Sequence, residues 1–275
     1  MELNNVYAAF FSGTGTTEKT VIALAKKLAD DLNLTVKTYD FTLPEARKST
    51  PEFNEKDLVV LGTPVIAGRV PNLLLKFLDT LEGNGAYAIP IVLFGNRNFD
   101  DALIELKDIL SNHNFKPVAS AAFIGEHSFS TILGAGRPDE KDMAELNSFA
   151  GKIVEKMQNK ADTDDFTSFE VEGEPYPYRG YYQPRDRHEN PINILKVKPL
   201  TNDKCTDCKL CVKLCPLGSI NPDNVSEITG ICMKCCACIK KCPSGAKYFD
   251  DEGYLYHQHE LEEMYERRAE PSTFI

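Results

Sequence analysis

The sequence predicts an α/β fold, a doubly wound five-stranded parallel sheet followed by a small cysteine-rich module. Over residues 1–160, short apolar runs alternate with longer amphipathic stretches. This alternation is typical of parallel strands that are covered by helices on both faces. All nine cysteines lie between Cys205 and Cys242. The chain therefore divides into a cysteine-free body and a second, smaller unit.

The elements of the body follow from the hydrophobic pattern. Short apolar runs predict the strands, which are Val6–Phe11, Thr35–Phe41, Leu58–Gly62, Ile91–Gly95 and Val118–Ile124. Apolar residues at helical spacing predict the helices, which are Thr17–Leu32, Pro71–Leu81, Asp100–Asn112 and Asp139–Met157. The segment between Thr42 and Asn54 is weakly patterned, and no element is predicted there.

The composition changes again after the body. Residues 161–198 form a linker arm rich in tyrosine, proline and arginine, and proline at this density prevents a regular helix. We expect the arm to pack its tyrosines against both domains. The cysteine module spans residues 199–250. An acidic tail, residues 251–275, is predicted to be helical around Glu260–Arg268.

Charge and hydropathy exclude two classes of protein. The chain has 31 basic and 41 acidic residues, a net charge of −10, whereas a general nucleic-acid binder needs a basic surface. The longest apolar runs are too short to span a bilayer, and Met1–Asn5 lacks the features of a signal peptide. We therefore expect a cytoplasmic protein.

A hydroxyl-rich loop joins the first predicted strand to the first helix. It brings hydroxyls and backbone N–H groups to a helix N-terminus, which attracts anions. Glu18 stands where the dinucleotide fingerprint and the Walker pattern both require glycine. The pattern S/T-x-T-G-x-T is satisfied by Ser12, Thr14, Gly15 and Thr17. It resembles the FMN phosphate loop of flavodoxins, and the alternative is a turn that only caps the helix.

Two further loops follow the third and fourth strands, at the edge where such a sheet binds its ligand. The flavodoxin resemblance implies that they hold the isoalloxazine ring, with Phe99 as a candidate for stacking and the Ala67–Gly68 peptide as a candidate backbone switch. His127, after the fifth strand, is a candidate proton donor or a local hydrogen-bond partner. The residues that the resemblance assigns to FMN are Ser12, Thr14, Gly15, Thr16, Thr17, Pro64, Val65, Ile66, Ala67, Gly68, Gly95, Asn96, Arg97, Phe99 and Asp100.

The cysteine module is an internal repeat. The first run is Cys205, Cys208, Cys211 and Cys215, and it recurs 27 residues later as Cys232, Cys235, Cys238 and Cys242. The pattern C-x₂-C-x₂-C-x₃-C-P resembles bacterial two-cluster ferredoxins, in which the fourth cysteine of each run ligates the other cluster. The resemblance implies two [4Fe–4S] clusters, one on Cys205, Cys208, Cys211 and Cys242 and one on Cys232, Cys235, Cys238 and Cys215.

Two points about the cysteines stay open. Zinc is the rival metal, because C-x₂-C pairs also suit a tetrahedral zinc ion. The third cysteine of each run, the proline and the duplication disfavour zinc. Cys236 has no place in the repeat, and we expect it to be a small buried thiol.

Together, the two units resemble flavodoxin–ferredoxin fusions of the kind found in anaerobes. The resemblance implies a flavodoxin-like FMN domain and a small α+β two-cluster ferredoxin domain. It implies an electron carrier that relays low-potential electrons between FMN and the clusters, to or from a larger oxidoreductase. The alternative is an FMN-dependent reductase of a small, quinone-like substrate that the clusters feed. A non-redox cluster protein would leave the FMN loop unexplained.

Charge suggests how such a carrier would meet its partner. Cluster cores with their cysteinates would add roughly −4 and the FMN phosphate roughly −2 to the net charge of −10. We therefore expect a redox partner with a basic docking patch and a salt-sensitive association rate. The sequence names neither donor nor acceptor, and it is compatible with a homodimer.

Overall fold

The computed structural model describes residues 2–159 and 168–275. Its first range contains β1 (Asn5–Phe10), α1 (Thr16–Leu32), β2 (Thr35–Asp40), a 3₁₀ helix (Pro44–Lys48), β3 (Asp57–Pro64), α2 (Asn72–Leu78), β4 (Tyr87–Phe94), α3 (Ala102–Asn112), β5 (Lys116–Pro117), β6 (Ser120–Ile124) and α4 (Glu140–Asn159). Its second range contains β7 (Leu200–Thr201), α5 (Leu210–Leu214), α6 (Ala237–Lys240), β8 (Lys247–Tyr248), α7 (Glu252–Met264) and β9 (Ser272–Phe274). The expected domain boundary at residues 160 and 161, with the start of the arm, lies outside the described residues.

The body is a parallel sheet in the order β2-β1-β3-β4-β6. This is the flavodoxin-like order 2-1-3-4-5, which binds its ligand where the order reverses, between β1 and β3. Within the described residues the sheet has seven strands, more than the five predicted. The short β5 pairs with the start of β4, and β9 pairs antiparallel with β6. The last residues of the chain thus cover what would be an open sheet edge.

Both faces of the sheet are buried, as a doubly wound fold requires. β3 and β4 lie inside the sheet and are almost continuously buried. α1 and α4 cover one face through side chains such as Leu24 and Phe149. α2 and α3 cover the other face through side chains such as Leu74 and Leu106. Since the faces are filled, the carboxyl ends of the strands are left to carry a site.

The cysteine module folds as two copies of one motif. Each copy contains a short helix that begins directly after a residue with left-handed backbone. This residue is Lys209 (φ 61°) before α5 and Cys236 (φ 58°) before α6. The N–H of Ser219 donates to Cys215 Sγ at 3.3 Å, and the N–H of Ala246 donates to Cys242 Sγ at 3.3 Å. The sequence repeat is therefore also a repeat of backbone conformation and of hydrogen bonds to sulfur.

The linker arm is an ordered strap across α3. Asp101 accepts hydrogen bonds from the backbone N–H groups of Glu174 (2.9 Å) and Arg179 (2.7 Å). The Arg69 guanidinium lies over the rings of Tyr178 (4.7 Å) and Tyr181 (5.0 Å). These contacts bind the described part of the arm to the body, as expected from its tyrosines.

The tail is helical first and extended afterwards. The Asp251 side chain caps α7 by accepting the N–H of Tyr254 at 2.8 Å, so the helix begins earlier than predicted. It ends at Met264, although the sequence predicts helix to Arg268. The residues that follow are extended because they bind the body and end in β9. No helix in the described ranges is long and apolar enough to cross a membrane.

Candidate functional site

The loop between β1 and α1 has the geometry of an anion site. The Ser12 hydroxyl accepts the N–H groups of Gly15 and Glu18, each at 3.1 Å, and this holds the loop in a tight turn. Gly15 has φ 108°, a conformation that favours glycine. Glu18 is exposed, and Lys19 Nζ donates to the carbonyl of Pro138 at 2.7 Å. The inside of the loop is therefore lined by neutral groups.

Several donors of this loop have no protein partner. Among the described residues, no acceptor is within hydrogen-bonding distance of the backbone N–H groups of Thr14, Thr16 and Thr17. Thr14 and Thr17 also have hydroxyls without a partner there, at the positive end of α1. These donors fit a phosphate group that is bound by amides and hydroxyls.

The loop after β3 has a constrained backbone. Ala67 (φ 52°) and Gly68 (φ 78°) are both left-handed. A Cβ at Gly68 would lie 2.4 Å from Asp100 Oδ2, so only glycine fits there. The Ala67 carbonyl accepts the N–H of Tyr182 at 2.8 Å, and the Gly68 carbonyl accepts the N–H of Asp101 at 3.1 Å. The peptide predicted as a switch is thus held by the arm on one side and by the next loop on the other.

The loop after β4 uses its side chains within the protein. The Asn96 side chain is buried and binds the tail through Tyr265 and Arg267. Arg97 pairs with Asp100. Phe99 is only 4% exposed and packs against Phe94 at 5.7 Å between ring centroids. Its ring therefore belongs to the core under α3 and offers no stacking surface to a ligand.

Three further residues that are predicted to contact the isoalloxazine ring lie at the end of β3 and in the loop that follows it. Pro64, Val65 and Ile66 are partly buried at the end of β3. Ile66 and Arg69 exchange backbone hydrogen bonds of 3.0 and 3.1 Å, which close a tight turn. The Arg69 side chain binds the buried Glu105, so it points toward the arm.

An aromatic cluster lies at the ends of the central strands, and most of its residues are not among the site residues predicted from the sequence. Tyr182 from the arm stacks on His257 of α7, with ring centroids 5.9 Å apart. Phe129, after β6, contacts Tyr254 (4.7 Å) and His257 (6.3 Å). Arg97 lies 4.8 Å from the Tyr182 ring centroid. The aromatic residues of the arm and tail were the available signal, but three distant segments have to meet before they form one surface.

His127 is neutral at this edge of the sheet. Its ring packs on Gly95, where a Cβ would lie 2.2 Å from the ring. Burial, with the charges of Lys240, His257 and Arg97, lowers the pKa of His127 to about 3. Nδ1 accepts the N–H of Phe129 at 3.1 Å, so the ring proton is on Nε2.

The cysteines line two cavities in the module. Cavity I, of about 370 Å³, is lined by residues that include Cys205, Cys208, Cys211 and Cys242. Cavity II, of about 440 Å³, is lined by residues that include Cys215, Cys232, Cys235 and Cys238. Cys238 also reaches cavity I and therefore stands between the two. Each cavity takes its fourth predicted ligand from the other run of the repeat.

The four predicted ligands of each cluster line the same cavity. Among the described residues, no three His, Cys, Asp or Glu side chains are close enough to share a single metal ion. Four cysteines around one cavity, with backbone N–H groups donating to Cys215 and Cys242 Sγ, are a donor set that an iron–sulfur cluster can take.

Burial raises the pKa of thiols in both cavities. It raises the pKa of Cys211 in cavity I, raises the pKa of Cys235 to about 12 and also raises the pKa of Cys238, which lines both cavities. Burial acts in the same sense on Cys242, but hydrogen bonds from the Ser244 hydroxyl and nearby N–H groups hold its pKa at about 7. A metal must therefore displace protons from thiols to enter either cavity. The ninth cysteine, Cys236, is a buried thiol, as predicted.

Cavity II adjoins the phosphate loop. A Cβ added at Gly13 would lie 3.0 Å from Cys235 Cβ and 3.4 Å from its Sγ, so the Cys235 side chain lies directly beside this glycine. Arg47 Nη2 donates to the carbonyl of Pro216, next to Cys215, at 2.5 Å. Cys208 of cavity I, in contrast, is exposed. Cavity II therefore adjoins the body, although it also opens to solvent beside the exposed Ile231, and cavity I has an exposed cysteine.

Lys240 closes this interface from α6. Its Nζ donates to Glu126 Oε1 (2.5 Å) and to the carbonyls of His127 (2.6 Å) and Ser130 (2.8 Å). All three acceptors are in the loop after β6. The predicted phosphate loop, the aromatic cluster and cavity II thus form one continuous region at the carboxyl edge of the sheet.

No protein-family model and no curated protein matches this chain. A flavodoxin from the domain Archaea is 14% identical, covering 56% of this chain and 99% of that chain, with a TM-score of 0.42. A flavodoxin of Streptococcus pneumonia TIGR4 is 21% identical, covering 56% of this chain and 99% of that chain, with a TM-score of 0.39. An NADH:FMN oxidoreductase is 17% identical, covering 59% of this chain and 93% of that chain, with a TM-score of 0.42. The strand order, independently of these matches, shows that the N-terminal part of this chain has a flavodoxin-like fold.

Proposed function

We propose that this chain is an electron-transfer protein that relays low-potential electrons between FMN and two [4Fe–4S] clusters, to or from a larger oxidoreductase. The observation that carries the proposal is the close approach of Cys235 to Gly13. A loop that fits the FMN phosphate lies beside a predicted cluster ligand, although more than 200 residues separate the two in the chain. This packing would hold the cluster of cavity II next to the phosphate end of a bound FMN.

Bound FMN would supply exchange of one or two electrons, and each cluster would supply exchange of one electron. The chain supplies positioning. Loop donors at Thr14, Thr16 and Thr17 would hold the phosphate. Cavity II would hold the cluster nearer the flavin site, and cavity I would hold the one nearer the surface. We propose that a partner with a basic docking patch docks near cavity I.

The arm and α7 cover the two loops that are predicted to hold the isoalloxazine ring. This cover favours a relay over the alternative, a reductase of a quinone-like substrate. The Ala67 carbonyl is occupied by the arm, and Tyr182 with His257 lies across the ends of the central strands. A planar substrate would have to displace these residues to stack on a flavin ring. An electron needs no such opening.

The test is anaerobic reconstitution of the full chain with FMN, iron and sulfide, followed by metal analysis and an EPR-monitored redox titration. The expected result is one flavin and two four-iron clusters per chain. Cys235→Ser should lose or alter one cluster, whereas the neighbouring Cys236→Ser is the matched control and should keep both. Zinc in place of iron, or equal effects of the two substitutions, would contradict the proposal.

The reductase alternative has its own measurement. Purified holoprotein is supplied with a chemical reductant and a soluble quinone, and no other protein is added. A relay should transfer electrons slowly and without saturation as quinone is increased. Saturable turnover, with a rate that rises in a Tyr182→Ala variant because part of the cover is removed, would instead establish substrate binding at the flavin.

A further inference from the structure

Two lysine side chains are buried at the cysteine cavities without an acidic partner. Lys247 lines cavity I and is 3% exposed. Its Nζ donates to Thr201 Oγ1 at 2.7 Å and to the carbonyl of Val225. Among the described residues, no carboxylate lies within 4.0 Å of this ammonium group. Its protein partners are all neutral.

Lys234 has the same surroundings at cavity II. It is 8% exposed and lines that cavity. Its Nζ donates to the carbonyls of Leu195 at 3.1 Å and Cys232 at 3.3 Å. In the part of the chain that the structure describes, it too forms no ion pair with Asp or Glu.

Burying an ammonium group without a counter-charge is costly, so buried charges in proteins are normally paired. The other buried cation among the described residues follows this rule: Arg137 is 6% exposed and forms a two-pronged ion pair with the buried Asp142. The two buried cations that lack a carboxylate partner lie one at each cysteine cavity, so a negative charge held in those cavities would supply what they lack.

The lysines are not a by-product of the duplication. The residue 27 positions before Lys234 is Asp207, and the residue 27 positions before Lys247 is Ile220. Each lysine therefore breaks the repeat, and it does so beside a cavity. This placement points to a separate role for each cation at its own cavity.

We infer that Lys247 and Lys234 are the built-in counter-charges of the two clusters and set their reduction potentials. The inference rests on the proposed function. A cluster gains one negative charge when it takes up an electron, so a fixed positive charge beside it stabilises the reduced form. Lys247 acts mainly on the cluster of cavity I, and Lys234 acts mainly on the cluster of cavity II.

The experiment compares Lys247→Met and Lys234→Met with the wild-type full chain holding FMN and both clusters. Midpoint potentials are read from an EPR-monitored titration, and Cys208→Ser identifies the signal of cavity I. Each methionine variant should lower the potential of its own cluster, with the equilibrium constant for one-electron reduction falling about tenfold, about 59 mV. Lys247→Arg keeps the charge and should keep the potential. Lys213→Met, on the exposed side of α5, is the control and should leave both potentials unchanged.

A second measurement uses the full chain before metal is added. Without a cluster, Lys247 is an uncompensated buried charge, so Lys247→Met should raise the denaturant midpoint of the metal-free protein. A merely structural lysine would give the opposite result, since its hydrogen bonds to Thr201 and Val225 would be lost. Unchanged potentials in intact holoprotein, or a fall in metal-free stability, would overturn the inference. A wild-type chain that takes up no clusters would instead overturn the proposed function.

Discussion

His257 joins three distant parts of the chain at the carboxyl edge of the sheet. It is 4% exposed, stacks on Tyr182 and meets the edge of Phe129. Its Nδ1 is buried and makes no hydrogen bond in the described ranges, and the nearby Glu260 Oε2 lies 3.7 Å away, beyond hydrogen-bonding distance. Burial, together with the charge of Arg97, lowers the pKa of His257 to about 4. The ring is therefore neutral near pH 7 and acts as an apolar packing surface.

This pKa predicts how acid destabilises the protein. The pKa of His257 is about 4 in the folded chain and 6.5 ordinarily, so the unfolded state binds protons more tightly. The stabilisation is present above pH 6.5 and is lost as pH falls from 6.5 toward 4. The free energy of unfolding should fall in this window by up to about 1.4 kcal/mol per pH unit from this residue.

The measurement is urea unfolding of wild type and His257→Gln at several pH values between 7 and 4. The variant should be less stable at pH 7, and its pH dependence should be flatter. His188→Gln, at an exposed position in the arm, is the control and should match the wild-type slope. Equal slopes for wild type and His257→Gln would contradict the lowered pKa.

At the scale of elements, the tail connects the module to the body through buried hydrogen bonds, and we call this contact the latch. Asn96 Nδ2 donates to the carbonyls of Tyr265 (2.7 Å) and Arg267 (2.6 Å), and its Oδ1 accepts the N–H of Ala269 at 3.1 Å. Arg137 donates to the carbonyl of Ala269 at 2.7 Å. These bonds direct the residues after α7 toward β6, where β9 completes the sheet.

Asn96→Ala should loosen this latch. Three hydrogen bonds are lost at a buried site, and each contributes about 1 kcal/mol, so the free energy of unfolding should fall by about 3 kcal/mol. Limited proteolysis should also cut the chain after Met264 more readily. Asn98→Ala, at an exposed position in the same loop, is the control for a general effect of the loop. Wild-type resistance to protease in Asn96→Ala would show that β9 holds the tail without this side chain.

At the scale of the whole molecule, packing fixes the module on the body. Gly13 lies beside Cys235, Lys240 pairs with Glu126, and β9 joins the sheet. A flexible tether would only raise the local concentration of one centre near the other. A packed interface sets the distance between them, and in the proposed relay it would leave cavity I as the side from which electrons pass to a partner.

The whole-molecule charge predicts the sign of salt effects on electron delivery. The chain carries −10, and exposed lysines near cavity I, such as Lys204 and Lys241, offset the charge of a cluster only locally. Reduced holoprotein should therefore reduce hexaamminecobalt(III), a cation, at a rate that falls with ionic strength. Its rate with ferricyanide, an anion, should rise. The reverse pair of slopes would indicate that the lysines dominate and that the partner's docking patch is acidic.

The sequence by itself determined what depends on local pattern. The hydrophobic pattern located the five main strands within a few residues. It was clearest for the inner strands β3 and β4, because burial on both faces requires continuous apolar sequence. The loop from Ser12 to Thr17 and the cysteine repeat were also evident, because neighbouring residues carry their chemistry. Helix ends were less certain, and α2 ends at Leu78 where the pattern predicts Leu81.

Only the tertiary structure decided which distant residues meet. Phe99 has an aromatic ring that could stack on a ligand, yet the packing of α3 places this ring in the core. Tyr182 and His257 meet at the carboxyl edge of the sheet, and Lys234 and Lys247 are buried beside cysteines. None of these facts leaves a periodic signal, since each depends on how segments far apart in the chain pack together. Local periodicity records which faces are buried, whereas the choice of neighbour is made by the folded chain.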